Sequence, residues 1–124
     1  MADMYGAVRS NWFKVKDPSA FKKFFKEKCY FGGEIELFYQ DPDIFAFGGY
    51  EMYPSAYPRF PNDCDRDWEE WALTEFADEI RKHLCDGQEF RVLAAGDEKL
   101  RYVGVQHLVI TKDTVVFNDY YEGN

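Results

Sequence analysis

Few side chains in this sequence have the type and spacing that chemistry needs. His83 and His107 are the two groups that titrate near neutral pH without a large pKa shift, so they are the candidates for a general base. His83 falls in the last turn of a predicted helix, where an imidazolium offsets the helix dipole. His107 lies inside a predicted strand, and a structural imidazole accounts for it. Cys64, His83 and Cys85 are metal-ligand types, yet no Cys-x-x-Cys or His-Glu-x-x-His spacing accompanies them. Neither metal nor cofactor is therefore expected. Acid pairs such as Asp67 with Glu70 are common on acidic helices and do not in themselves mark glycoside or phosphate chemistry. Gly32-Gly33 and Gly48-Gly49 lack the spacing of phosphate-cradling loops. The expectation is a binding protein with no catalytic residues.

The elements that would position these residues follow from pattern. Arg9 to Lys16 alternates around Trp12, Phe13 and Val15 and predicts a first strand. Asp17-Pro18 starts a helix, with Phe21, Phe24, Phe25 and Cys29 at helical spacing, four lysines mainly on the other side, and Gly32-Gly33 as its stop. Glu34–Tyr39 and Ile44–Phe47 read as strands joined by a turn at Asp41-Pro42-Asp43. From Gly48 to Asp65 three prolines break any regular element, predicting a long loop. Its Tyr50, Tyr53, Tyr57 and Phe60 separate it from a disordered linker. These rings either close one end of the core or form a functional surface.

A second helix is expected from Asp67 to Leu84, capped by Asp65 or Asp67 and followed by a stop at Gly87. At about 100° per residue, Trp68, Ala72, Leu73, Phe76, Ala77, Ile80 and Leu84 share a face, from whose centre Trp71 projects roughly 160° away. That Trp71 either packs under the Tyr-rich loop or stands as an exposed interface anchor. Phe90–Ala94, Leu100–Ile110 and Thr114–Phe117 alternate as strands, with turns at Gly96-Asp97 and Lys112-Asp113. The order β-α-β-β-α-β-β-β implies one α+β domain over residues 1–124, a mainly antiparallel sheet with two helices on one face.

Charge narrows the class of partner. At 124 residues and a formal charge of −8, the chain can bury a core but lacks the broad basic face that phosphate binding needs. Direct nucleic-acid binding is thus excluded as an expectation, and basic proteins are favoured. The charge is also uneven. Phe60 to Ile80 holds eight acids against Arg66, whereas Arg9 to Lys28 holds seven bases against Asp17 and Glu27. The acidic stretch reads either as a solvated helix face or as a surface that occupies a basic nucleic-acid channel. No run approaches the roughly 18 apolar residues of a membrane span and no signal-peptide pattern opens the chain. With three widely spaced cysteines that suit reduced thiols, the expected compartment is the cytoplasm.

At the two ends, Tyr5, Arg9-Ser10-Asn11, Phe13, Val15-Lys16-Asp17 and Phe21, with Glu98 to Tyr102 and Asn118-Asp119-Tyr120-Tyr121, the chain resembles small acidic proteins carried by bacterial phages and plasmids. The resemblance covers roughly the first 20 and last 30 residues. It implies a mobile-element setting, in which compact acidic proteins block host defence, as anti-CRISPR and anti-restriction proteins do. The leading expectation is an inhibitor of a basic host protein or nucleoprotein complex. Its candidate contacts are Trp71, Asp67, Glu70, Glu75, Asp78, Tyr50, Tyr53 and Tyr57. The alternatives are a ligand-binding or enzymatic domain with a pocket under residues 48–65, using His107 or Cys64, and a homodimeric accessory protein whose aromatic loop buries itself against its twin.

Overall fold

The computed structural model describes residues 5–31, 35–40, 42–51, 54–61, 68–98 and 102–123. Its frame is an antiparallel sheet built from β1 (Tyr5–Ser10), β2 (Phe13–Lys14), β3 (Glu36–Tyr39), β4 (Ile44–Glu51), β7 (Phe90–Glu98), β8 (Tyr102–Ile110) and β9 (Val115–Gly123). The spatial order is β2-β4-β1-β7-β8-β9, with β3 also pairing β4. The helices are α1 (Pro18–Lys28) and α2 (Leu73–His83), and a separate two-stranded ribbon joins β5 (Arg59–Pro61) to β6 (Trp68–Glu70). The α+β class and the mainly antiparallel sheet agree with the sequence pattern.

Asp17 starts α1 as its side-chain chemistry requires. Its carboxylate accepts from the Ser19 and Ala20 amides at 3.1 and 3.2 Å, satisfying donors that the first turn leaves free, and Pro18 occupies the first turn. The helix ends at Lys28, before the predicted glycine stop, which lies outside the described residues. Its apolar side brings Phe21 to 5.3 Å from both Phe13 and Phe45, and Phe25 to 4.9 Å from Phe47. Across the sheet, Phe76 of α2 meets Phe90 at 5.8 Å. Phenylalanine thus dominates a core completed by Val8, Val92, Leu108 and Ile110 from the inner sheet face.

The predicted first strand, Arg9 to Lys16, is broken. Arg9 lies opposite Gly48 and Phe13 opposite Phe45, so four steps along one strand match three along the other. This one-residue bulge turns both Ser10 and Phe13 inward. The buried Ser10 hydroxyl repairs the ladder by accepting from the Phe47 amide at 2.8 Å and donating to the Asn11 carbonyl at 2.9 Å. Asn11 ties the bulge to β7, donating from its amide to the Glu89 carbonyl and accepting from the Arg91 amide, both at 2.9 Å.

Three further expectations change. The predicted loop from Gly48 is in part sheet, because β4 continues to Glu51 and Arg59–Pro61 pairs with Trp68–Glu70. The second helix begins at Leu73 rather than Asp67, with Ala72 at its N-cap and no side-chain cap. Finally, β7 passes through the predicted Gly96-Asp97 turn. Gly96 pairs there with Gly6 and Gly104, and a Cβ on Gly6 would collide with the Ala95 carbonyl oxygen. The predicted Lys112-Asp113 turn is present between β8 and β9, and Gly87, at φ +79°, makes the turn between α2 and β7.

Candidate functional site

The predicted partner-binding residues do not gather on one helix. Trp71 leaves the helical register because a non-local partner claims it. Its amide donates to the Pro58 carbonyl at 3.1 Å and its indole N–H to the Lys28 carbonyl at 3.0 Å. The ring packs 5.1 Å from Phe60, 5.7 Å from Phe76 and 6.4 Å from Phe24. Of the two readings of this residue, the packed one describes it: Trp71 joins α1, β5 and α2, and is no exposed anchor.

Tyr57 is likewise structural. Its hydroxyl donates to the Trp71 carbonyl at 3.0 Å and its ring meets Phe117 edge-on at 5.1 Å. Loss of water around the hydroxyl, and then the Glu70 charge, push its pKa above the ordinary phenol value. The neighbouring Ala56 amide donates to Gln106 Oε1 at 2.9 Å. Residues 54–58 therefore lie against the sheet, and three clefts lined by described residues lie elsewhere. Tyr53 and Asp67 lie outside the described residues, as does Cys64.

Glu70 on β6 and Glu75 and Asp78 on α2 are exposed. Asp78 stands 3.5 Å from Arg81 and Glu79 stands 2.9 Å from Lys82, so the C-terminal half of α2 offsets part of its own acidity. Arg81 in turn donates to the Thr111 and Thr114 carbonyls at 2.8 and 2.9 Å, fastening α2 to the β8–β9 turn. Asp78 nevertheless remains 72% exposed, and Glu70 and Glu75 are exposed beside it on the ribbon and the first turn of the helix.

The two histidines lie apart, His107 on β8 beside a cleft and His83 at the end of α2. His83 is half-buried, its ring 4.7 Å from Phe24 and 5.9 Å from Phe21. Burial pushes its pKa below the ordinary value, Glu79 and Asp17 pull it back in part, and Lys82 adds to the lowering. This corrects the expected surface position: the ring packs against two phenylalanines of α1, and its desolvation disfavours the charged form. Cys29 is buried, and desolvation pushes its thiol pKa up, which makes it a poor nucleophile.

A further surface, built from residue types that carry no chemistry of their own, lies on the sheet face opposite the helices. Register places Tyr50, Ala7, Ala95, Val105 and Tyr120 in one row across five strands. On one side follow Arg9, Leu93, His107 and Asn118, then Arg91, Val109 and Val116; on the other come Asp97, Val103 and Glu122. Leu93 is 48% exposed, Val105 36%, Tyr120 62% and Tyr50 91%. A one-sided antiparallel sheet ordinarily presents polar residues to water, so a contiguous apolar centre on that side is out of pattern. The signal was present in Tyr102–Ile110, where valines and leucine occupy both parities of the strand.

Two of the clefts border Arg9 on this face. One, of about 320 Å³, has Phe38, Glu36, Gly48 and Tyr50 in its lining; the other, of about 260 Å³, has Asn11, Arg91, Leu93 and His107. The Arg9 guanidinium lies over the Phe38 and Trp12 rings at 5.3 and 5.6 Å. Among the described residues, no group of three or more His, Cys, Asp or Glu side chains is placed to hold a metal ion. No helix among them is long and apolar enough to cross a membrane. No family model matches the chain, and comparison with curated proteins and with solved structures finds no match.

Proposed function

We propose that this chain works by binding rather than catalysis, covering a basic surface of a nucleic-acid-handling protein in the cytoplasm of the cell where it acts. The observation that carries the reading is the placement of Glu70, Glu75 and Asp78, three exposed carboxylates on β6 and the adjoining α2 of a chain with net charge −8. Carboxylates held on a rigid ribbon and helix can face the same lysines and arginines that would otherwise face phosphate. The resemblance of the two ends to phage and plasmid proteins is the ground for proposing a host defence complex as the target. Tyr57 and Trp71 contribute by holding β5, β6 and α2 together, and make no contact with the partner.

Capture from nuclease-treated bacterial lysate tests this reading, with wild type beside a Glu70→Lys, Glu75→Lys, Asp78→Lys variant. Wild type is expected to retain nucleic-acid-binding proteins that the variant loses, and the retention should fall as salt screens the contact. Recovery of the same proteins by both would reject it.

A further inference from the structure

We infer that the outer face of the sheet is the interface of a symmetric homodimer, with a second copy of this chain as its occupant. The inference is independent of the carboxylate reading, which concerns β6 and α2. Both arginines of this face, Arg91 and Arg9, stand toward one end, where Glu89 pairs with Arg91 and Glu36 shares the Arg9 row; Asp97 and Glu122 stand toward the other end, without a basic neighbour in register among the described residues, and the exposed apolar rows lie between. A two-fold axis running across the strands reverses their direction while each strand faces its own copy. The arginine end of one sheet then meets the carboxylate end of the other, twice. An axis along the strands would set like charges together, so the pattern selects one orientation.

The same operation matches sizes. With the axis between the Leu93 and Ala95 rows, Leu93 faces the partner's Ala95, Arg9 faces the partner's Ala7, and His107 faces the partner's Val105. Leucine and arginine thereby meet alanine, which lets the facing rows interdigitate there. Five strands spaced at about 4.8 Å, and six residues of length at about 3.3 Å each, give a plan area of roughly 500 Å² per copy. Two such faces remove on the order of 1,000 Å² or more of accessible surface, the size a specific interface needs. Arg91 is available for the exchange because its ion pair with Glu89, at 3.7 Å, is long and half-exposed. In the dimer the helices and their carboxylates face outward on both sides, so each particle carries two copies of the acidic surface.

Sedimentation velocity over a concentration series tests the proposal. Wild type is expected to reach the mass of two 14.6 kDa chains at tens of micromolar, a range set by the modest area. Val105→Glu, beside the axis, should sediment as a monomer with an unchanged far-ultraviolet circular dichroism spectrum. Arg91→Glu and Asp97→Arg should each weaken the dimer at least tenfold, and the double variant should recover most of the loss. A wild type that stays monomeric at several hundred micromolar overturns the proposal, whether or not another protein uses the face. So does a dimer that Val105→Glu leaves intact, which would point to pairing along the β9 edge or elsewhere.

Discussion

Trp71 and His83 show how far a single residue can be read before its surroundings are known. The angle that set Trp71 apart from the helical stripe recorded a real conflict: a residue pointing away from the core in one register must leave that register to be buried. The chain leaves it by pairing Trp68–Glu70 with Arg59–Pro61, a partner whose position no local pattern gives. Truncation of Trp71 to Ala should cost about 3 kcal/mol in urea unfolding, since it empties a site among Phe24, Phe60 and Phe76. A loss below about 0.5 kcal/mol would mean that the ring packs less than its contacts imply.

His83 was legible as the end of a helix but not as a half-buried group, because Phe21 and Phe24 reach it from α1. Its pKa is lowered in the folded chain, so between the folded value and about 6.5 the unfolded state binds more protons. The stabilisation from a neutral His83 is therefore complete above about pH 6.5 and is lost as pH falls through the folded value. The melting temperature should drop between pH 7.5 and 5.5, and His83→Leu should flatten that slope. An equal slope in the variant would assign the pH dependence to other groups.

At the scale of elements, what is encoded locally was readable and what depends on pairing was not. Asp17 caps α1 through amides two and three residues away, and the β8–β9 turn sits where Lys112-Asp113 placed it. The bulge between β1 and β2 is different, since its register is set by β4 and its hydrogen bonds by Glu89 and Arg91. Ser10 is the residue on which it turns. Ser10→Ala leaves the buried Phe47 amide without its side-chain acceptor and should cost about 1–3 kcal/mol, read from chemical denaturation. Ser10→Thr keeps the hydroxyl and is the control. A neutral Ser10→Ala would show that the ladder closes without the hydroxyl.

On the scale of the whole molecule, the two faces of the sheet divide the work. The inner face and both helices bury a phenylalanine core, and the helix side carries lysines on α1 beside acids on β6 and α2. That division was visible in the sequence as unequal charge between the two segments. The outer face was less legible, although Tyr102–Ile110 is apolar at both parities, because valine marks neither catalysis nor ligand binding and its neighbours across the sheet come from distant strands. As the proposed dimer interface it would give the particle a pair of outward acidic surfaces and raise the avidity for any partner with two basic sites.

The central claim is that carboxylates on β6 and α2 occupy a surface that otherwise holds nucleic acid. The most direct measurement extends the lysate capture by adding double-stranded and single-stranded DNA to partner already bound on immobilised wild type. Nucleic acid is expected to release the partner in proportion to its concentration at fixed ionic strength, and the Glu70→Lys, Glu75→Lys, Asp78→Lys variant to capture none to release. A partner retained at saturating nucleic acid would contradict it.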